Sequence, residues 1–293
     1  MDPSRSHEAS PRTAVLEPLD GQKAELPREA GRREPAAEAD RRHESARLDR
    51  FVDQVTSGTA NLVNDALVDV LGSAAALDLP DDERMERFIS LLATDKSAEV
   101  RRVAAWGLQR YARDPAAQAA LIRNLGSAPD AEVRFMSALG HDPQPAAVQA
   151  LRTALANDKE AEVREVAAWG LGNSRDDGAV ETIAAALQRE TSSAVRMTAA
   201  WAIGQLQPKV APPALLPLLN DADSDTRTAA AWALSEIGDA KMLPAVERAL
   251  AKETDTTVSQ ALLRAMMRAG GDVSSLSRFL SSTNDAVRLA AAR

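Results

Sequence analysis

The stretch DKEAEVREVAAWGLG, residues 158–172, decides the fold, because close relatives of it recur along the chain. They are DKSAEVRRVAAWGLQ at 95–109, ETSSAVRMTAAWAIG at 190–204 and DADSDTRTAAAWALS at 221–235. In each stretch an acidic residue precedes a Val-Arg or Thr-Arg pair, and small residues follow the pair. Self-similarity at a fixed period is the sequence signature of a repeat protein, so the repeat unit is the basis of the fold prediction.

The repeat continues beyond these four stretches. Alignment on the residue pair gives seven matches. The first residue of each pair, which we call the anchor, lies 29 to 33 residues from the next anchor. The pairs are Val100-Arg101, Val133-Arg134, Val163-Arg164, Val195-Arg196, Thr226-Arg227, Val258-Ser259 and Val287-Arg288. The last anchor lies close to Arg293, so a longer chain or a partner is expected to cover that end.

Each unit has the pattern of two amphipathic helices, as residues 143–173 illustrate. Proline favours a first helical turn, so the first helix is predicted to begin near Pro143 or Pro145. Apolar residues spaced for one face of this helix are Val148, Leu151 and Leu155. The second helix has its own apolar face, made of Val163, Ala167, Ala168 and Leu171. Gly172 and Asn173, which tolerate positive φ, predict the end of the second helix.

A helix pair of this length cannot bury its apolar face alone, whereas stacked pairs share a continuous core. The sequence therefore predicts an all-α fold, a right-handed α-α superhelix (solenoid) of about seven two-helix repeats across 81–293. Residues 1–43, which are rich in proline and in charges of both signs, predict a disordered tail. Residues 44–80 predict a divergent N-terminal helical cap.

Composition and charge narrow the possible functions. The chain has no cysteine, so disulfides, thiolate nucleophiles and cysteine-based metal sites are excluded. Its net charge of -8 argues against broad binding to the phosphates of nucleic acids. The N-terminus has no apolar signal-peptide segment, and no apolar run is long enough to span a bilayer. We therefore predict a cytoplasmic protein that does not bind membranes.

The repeated stretches resemble HEAT repeats of the short bacterial type that is also found in phycobilisome lyase subunits. That group has a pattern close to D-x-x-x-x-V-R-x-x-A-A-x-A-L-G, and the resemblance covers about Asp81 to Arg293. It implies a helical solenoid and is weak evidence for function, since one fold serves many functions. Two units depart from the pattern: the second has Phe135, Met136 and Ser137 after its anchor, and the sixth has Ser259 in place of arginine.

Acidic residues and arginines recur six positions apart. The residues concerned are Asp95, Arg101, Asp158, Arg164, Glu190, Arg196, Asp221 and Arg227. The resemblance to HEAT repeats implies that they form a structural ladder between adjacent repeats. Each acid also precedes a second helix, where negative charge suits the positive end of the helix dipole.

Tryptophans form a second periodic set, because all four lie six residues after an anchor. This position lies about 120° around the helix from the anchor, at the edge of the buried face. Two interpretations are open: the rings bind a partner, or they cover the seams between repeats. The candidate partner-binding residues are the four tryptophans and three residues two positions after an anchor: Trp106, Trp169, Trp201, Trp232, Arg102, Glu165 and Met197.

No catalytic, cofactor-binding or metal-binding pattern emerges from the sequence. There is no phosphate-binding loop, dinucleotide fingerprint or nucleophile elbow, and the three histidines, His7, His43 and His141, lie outside the repeat helices. We therefore predict no cofactor and a non-catalytic scaffold or regulatory adaptor. It would bind a protein partner along its concave groove, as a monomer or in a hetero-complex. Alternatives are an accessory subunit of a chromophore lyase and, less favoured by the charge, a DNA-binding protein similar to the alkylpurine glycosylases of this fold.

Overall fold

The computed structural model describes residues 80–139, 144–271 and 273–292, and this part of the chain is helical with no strand. The predicted tail 1–43 and the predicted cap, except Pro80, lie outside the described residues. The helices are α1 Asp81–Thr94, α2 Ala98–Leu108, α3 Pro115–Ser127, α4 Ala131–Leu139, α5 Pro145–Asn157, α6 Ala161–Asn173, α7 Ala179–Leu187, α8 Ser193–Leu206, α9 Leu215–Leu218, α10 Ser224–Ile237, α11 Leu243–Leu250, α12 Thr256–Arg268, α13 Val273–Leu280 and α14 Asp285–Ala291. Short 3₁₀ helices are formed by Gln109–Tyr111 and Ala240–Met242.

The helices pair in chain order and the pairs stack. Each odd-numbered helix packs on the even-numbered helix that follows it, which gives seven repeats between α1 and α14. The even-numbered helices, which we call the second helices, pack one upon the next from α2 to α14. The first helices α1, α3, α5 and α7 pack in the same serial way. This two-layer stacking confirms the predicted α solenoid of about seven repeats.

Helix starts follow local rules that were visible in the sequence. Pro145 occupies the first turn of α5, as expected from its fixed φ. The side chain of Asp255 accepts hydrogen bonds from the backbone N–H groups of Thr257 and Val258 and so caps α12. Asp223 and Asn284 cap α10 and α14 in the same way. In α10, α12 and α14 the capping residue lies three residues before the anchor.

Alanines allow the second helices to approach closely. Ala167 and Ala168 of α6 and Ala199 and Ala200 of α8 are at most 1% exposed. Small side chains between stacked helices bring the backbones together, so each pair of second helices shares a tightly packed seam.

Gly172 has a different role from the predicted helix termination, and Gly204 shares this role. Gly172 and Gly204 lie inside α6 and α8, whereas positive φ occurs later, at Arg175 and Gln207. Gly238 and Gly270 do adopt the positive φ expected at a helix end. Gly172 and Gly204 are glycine because the seam has no room for a side chain. A Cβ on Gly172 would lie 2.9 Å from the Trp201 ring, and a Cβ on Gly204 would lie 2.4 Å from the Trp232 ring.

We predict that Gly204→Ala destabilises the array by about 1–3 kcal/mol, because the added methyl group overpacks the seam against Trp232 and the backbone of Ala233. The matched control is Gly126→Ala in α3, where a Cβ meets nothing within 4 Å. That change should be neutral or stabilise by up to about 1 kcal/mol, because alanine favours the helix. Urea unfolding followed by circular dichroism measures both. Equal stabilities of the two variants would contradict the proposed packing.

Candidate partner-binding face and the arginine ladder

An arginine directly after the anchor links each of five repeats to the next. We call these residues and their acidic partners the arginine ladder. The pairs are Arg101–Asp130, Arg134–Asp158, Arg164–Glu190, Arg196–Asp221 and Arg227–Glu253. Four of the five are bidentate, with N···O distances of 2.7 to 3.0 Å. Two parallel hydrogen bonds between ions are stronger and more specific than a single contact.

Each ladder arginine also holds the loop of its own repeat. Nη1 of Arg164 donates to the carbonyl oxygens of Asp158 and Lys159, both at 3.0 Å. The acid that Arg164 binds, Glu190, in turn accepts the backbone N–H of Ser192 at 2.9 Å. The guanidinium therefore connects the turn of one repeat to the turn of the next. The six-residue spacing of Asp158 and Arg164 reflects this backbone contact, whereas the carboxylate of Asp158 binds Arg134 of the preceding repeat.

Ladder contacts lower the pKa of Asp158, Glu190 and Asp221. The hydrogen bond from Arg196 lowers the pKa of Asp221 below its ordinary value, and the backbone N–H of Asp223 acts in the same direction. Burial alone would raise the pKa of Asp158 and of Glu190, but their arginine and backbone hydrogen bonds outweigh it, and both pKa values are lowered. Because the charged form is favoured in the folded state, these acids stabilise the fold above their unfolded pKa.

The ladder is interrupted between the sixth and seventh repeats. Ser259 stands at the arginine position, is fully buried, and its Oγ has no hydrogen-bond partner. Ser282 occupies the position of the ladder acid. Its Oγ accepts a hydrogen bond from the backbone N–H of Asn284, as the carboxylate of Glu190 accepts one from the backbone N–H of Ser192. Both members of this pair are therefore serine. In the last repeat Arg288 still donates to the carbonyl oxygen of Ser282.

The second helices share one narrow stripe of positions, which we call the outer stripe. It consists of the positions one before, two after, six after and ten after each anchor, which lie within an arc of about 80° on a helical wheel. In α6 these are Glu162, Glu165, Trp169 and Asn173, and all are exposed or half-buried. Most other positions of α6 pack into the seams, so a partner of the second helices would meet this stripe.

The four tryptophans share one repeat position but differ in burial. Trp201 is 6% exposed and Trp232 is 2% exposed, since their rings pack over Gly172 and Gly204. Trp106 and Trp169 are only half-buried. In the repeat before Trp169, the residue that corresponds to Gly172 is Asp142. That repeat therefore has no glycine at the position over which the Trp169 ring would pack. Two of the rings thus fill seams, and two present part of their surface to solvent.

The other candidate residues lie on the same stripe with different surroundings. Arg102 forms an ion pair with Glu132 of the next second helix. The carboxylate of Glu165 accepts a hydrogen bond of 3.3 Å from the hydroxyl of Thr198. Met197 is 8% exposed. The partner-binding role of all seven candidates stays a prediction, and burial makes Trp201 and Trp232 the least accessible of them.

Among the described residues no group of three or more histidine, aspartate or glutamate side chains could hold a metal ion. A cleft between the third and fourth repeats is lined by Asp158, Arg164, Arg189 and Glu190. These side chains are already held by the ladder or by the carbonyl oxygen of Ala156. None of the described helices is long and apolar enough to cross a membrane.

Comparison with known families identifies the repeat. The model of a family described as HEAT repeats matches residues 85–172, 135–196, 148–225 and 180–267, which together cover more than half of the 293-residue chain. The chain belongs to the HEAT repeat family. A comparison with curated proteins gave no match.

Solved structures similar to this HEAT repeat protein include several repeat proteins at low identity. Human deoxyhypusine hydroxylase is 22% identical, with 66% of this chain and 75% of that chain covered and a TM-score of 0.37. The complex of CpcE and CpcF of phycocyanin lyase from Nostoc is 22% identical, with 70% and 91% covered and a TM-score of 0.34. A designed armadillo repeat protein in complex with the peptide (KR)4 is 18% identical, with 71% and 96% covered and a TM-score of 0.43.

We predict that Asp221→Asn lowers the stability of this HEAT repeat array at pH 7 by about 1–3 kcal/mol, because Arg196 loses its charged acceptor. The pKa of Asp221 is lowered in the folded state, so its contribution is present above an unfolded pKa of about 3.9 and disappears as the pH falls through the folded value. The difference between wild type and variant should therefore shrink below about pH 4. Urea unfolding at a series of pH values measures it, with Glu86→Gln on the exposed surface of α1 as the control. A pH-independent difference would contradict the role of the charge.

We also predict that Ser259→Arg and Ser282→Asp together restore the missing ladder pair. Each change alone should be neutral or destabilising, because it adds a charge without its partner. In a double-mutant cycle the two should show a favourable coupling of about 0.5–3 kcal/mol. Chemical denaturation of the four variants gives the coupling. Simple additivity would show that the seventh repeat is not positioned like the others.

Proposed function

We propose that this protein is a non-catalytic interaction scaffold that binds a protein partner along the outer stripe of its second helices. The observation that carries the proposal is the half-burial of Trp106 and Trp169 on helices that are otherwise packed into seams. A HEAT repeat solenoid suggests such a role in general, and the two rings supply a specific place for it.

The chemistry of the stripe supports this use. Tryptophan is enriched among residues that dominate binding energy, because a large rigid ring buries much surface at a small entropic cost. Both rings are already half-buried, so part of their freedom is lost before a partner binds. Arg102 and Glu165, each four residues before one of these tryptophans, add polar groups beside the rings.

Two alternatives from the sequence are less well supported. Duplex DNA would meet a stripe whose central helices carry exposed carboxylates, including Glu132 and Glu162, which repel phosphates. An accessory role in a chromophore lyase stays a prediction, and the absorbance of a bilin added to the purified protein would test it.

We predict that Trp106→Ala combined with Trp169→Ala abolishes partner capture while the array stays folded. The measurement is affinity capture from a lysate of the source organism, compared between wild type and variant, with circular dichroism to check folding. Gly204→Ala is the matched control, because it weakens a seam and leaves both half-buried tryptophans in place.

Loss of the same captured protein in the tryptophan variant alone would support the stripe as the binding face. Equal capture by wild type and variant would show that these rings only pack against the array. Equal losses in both variants would show that capture depends on stability rather than on the rings, and either result would remove this proposal.

A further inference from the structure

The contact between the sixth and seventh repeats is built differently from the five contacts that the arginine ladder links. We infer that the array opens at this contact, and that α13 and α14 detach from α12 together while the first six repeats stay folded. The two detaching helices pack on each other, so they can move as one unit. This opening is independent of the proposed function, because Trp106 and Trp169 lie in the first and third repeats.

The first difference lies in the face that α12 turns to the following repeat. In a second helix this face consists of the positions one, five and nine after the anchor, which lie about one turn apart. The first of them is the ladder position, and at the last of them Gly172 of α6 lies against Ala202 of α8. In α6 the three residues are Arg164, Ala168 and Gly172. In α12 they are Ser259, Leu263 and Met267. One long polar and two small side chains are therefore replaced by one small polar and two large apolar side chains.

The larger side chains oppose the close approach of the second helices. Small side chains between stacked helices bring the backbones together, and large ones on the same face work against that approach. Met267 is 42% exposed, so α14 does not cover the end of this face. The corresponding glycines, Gly172 and Gly204, are buried against the next second helix. The seventh repeat therefore leaves open a position that is sealed after the third and fourth repeats.

The second difference is the small buried surface of α14. Of its seven residues, Val287 and Ala290 are buried. By contrast, α6 buries six residues and α8 buries nine. The stability of a repeat array is approximately a sum of contributions from single repeats and from the interfaces between neighbours. An interface that buries little surface therefore opens at a lower free energy than the others.

The third difference lies in the polar contacts between the two repeats. Nδ2 of Asn284 donates to the carbonyl oxygen of Glu253, and Arg278 forms an ion pair with Glu247 at an N···O distance of 3.3 Å. The Arg278 side chain is 67% exposed, and exposed ion pairs contribute little to stability. A neutral hydrogen bond is weaker than the charged, bidentate contact of a ladder pair. These contacts therefore hold the seventh repeat less strongly than the ladder holds the others.

Ser259 also makes the closed state less favourable. Its side chain is fully buried, and its Oγ has no hydrogen-bond partner. Burial of a hydroxyl group without a hydrogen bond costs free energy, and the group regains hydrogen bonds with water when the seventh repeat detaches. In the first five repeats the guanidinium at this position stabilises the closed state instead. The same position therefore favours opening after the sixth repeat and opposes it after the first five.

The test uses the absence of cysteine from the chain, because a single introduced thiol then reports opening by its rate of reaction with a maleimide dye. The reporter is Ser259→Cys, a nearly isosteric change at the contact. The matched control is Ser137→Cys in α4. Ser137 is also fully buried with an unpartnered Oγ, but Arg134 links its helix to the next repeat. Both rates are measured on the folded full chain near neutral pH, across a series of low urea concentrations.

A second reporter separates an effect of the missing ladder pair from simple fraying of α14. Ala290→Cys places the thiol at a buried position of α14. Its rate is measured with the two serines in place and again with Ser259→Arg and Ser282→Asp, which supply the missing ladder pair. Circular dichroism checks that each variant is folded.

We expect the Ser259→Cys thiol to react at least about tenfold faster than the Ser137→Cys thiol, because the loss of one charged contact corresponds to about this factor. Its rate should depend only weakly on urea, since detachment of one repeat exposes less surface than unfolding of the array. The added ladder pair should slow the reaction of the Ala290→Cys thiol by about tenfold.

Equal rates for the two serine positions would overturn the inference, as would a Ser259→Cys rate with the urea dependence of global unfolding. An unchanged Ala290→Cys rate after addition of the ladder pair would show that α14 frays by itself and that the missing pair does not cause the opening. If the variant with the added pair does not fold, the comparison of the two serine positions still decides.

Discussion

The bidentate contact between a guanidinium and the carboxylate of the next repeat is the interaction on which the array depends. Arg164 shows why an arginine is needed at this position. Its planar fork of five donors can satisfy two carbonyl oxygens of its own turn and both oxygens of Glu190 at once. A lysine has three donors on one nitrogen and could not span both turns. The contact is directional, so it fixes the register of neighbouring repeats, which the interchangeable alanine surfaces between them specify only loosely.

Much of the fold could be predicted because it depends on local patterns that recur. The anchor spacing, the proline at the start of α5 and the glycines at 238 and 270 follow from short-range rules of helix initiation and termination. The pairing of charges could not be read in this way. The six-residue spacing of Asp158 and Arg164 arises from a backbone contact, and the carboxylate that Arg164 binds lies 26 residues further on. The six-residue spacing does not identify Asp130, which lies four residues before Arg134, or Glu253, which lies six residues before Ser259 instead of an arginine.

The tryptophans show how one sequence position can acquire two roles. A motif assigns Trp169, Trp201 and Trp232 to the same place on the second helix, yet burial depends on the residue that the preceding repeat presents. Glycine at 172 and 204 admits a ring deep into the seam, and no glycine occupies the corresponding position before Trp169. In the sequence this contact corresponds to a glycine nine residues after an anchor. The same glycine also fits helix termination, because positive φ is the more common reason for glycine near a helix end.

The glycine of one repeat and the tryptophan of the next form a packing contact that crosses the boundary between sequence repeats. The unit of packing is therefore the interface between two repeats, and not the single repeat. This interface consists of the end of one second helix and the middle of the following one. This constrains how such a gene can change its length. A tandem copy of the fourth repeat would set Gly204 before Trp201 and keep space for the ring, whereas a tandem copy of the fifth would set Ser235 before Trp232. Such an array can therefore gain a repeat without loss of packing only where a glycine precedes the tryptophan across the new boundary.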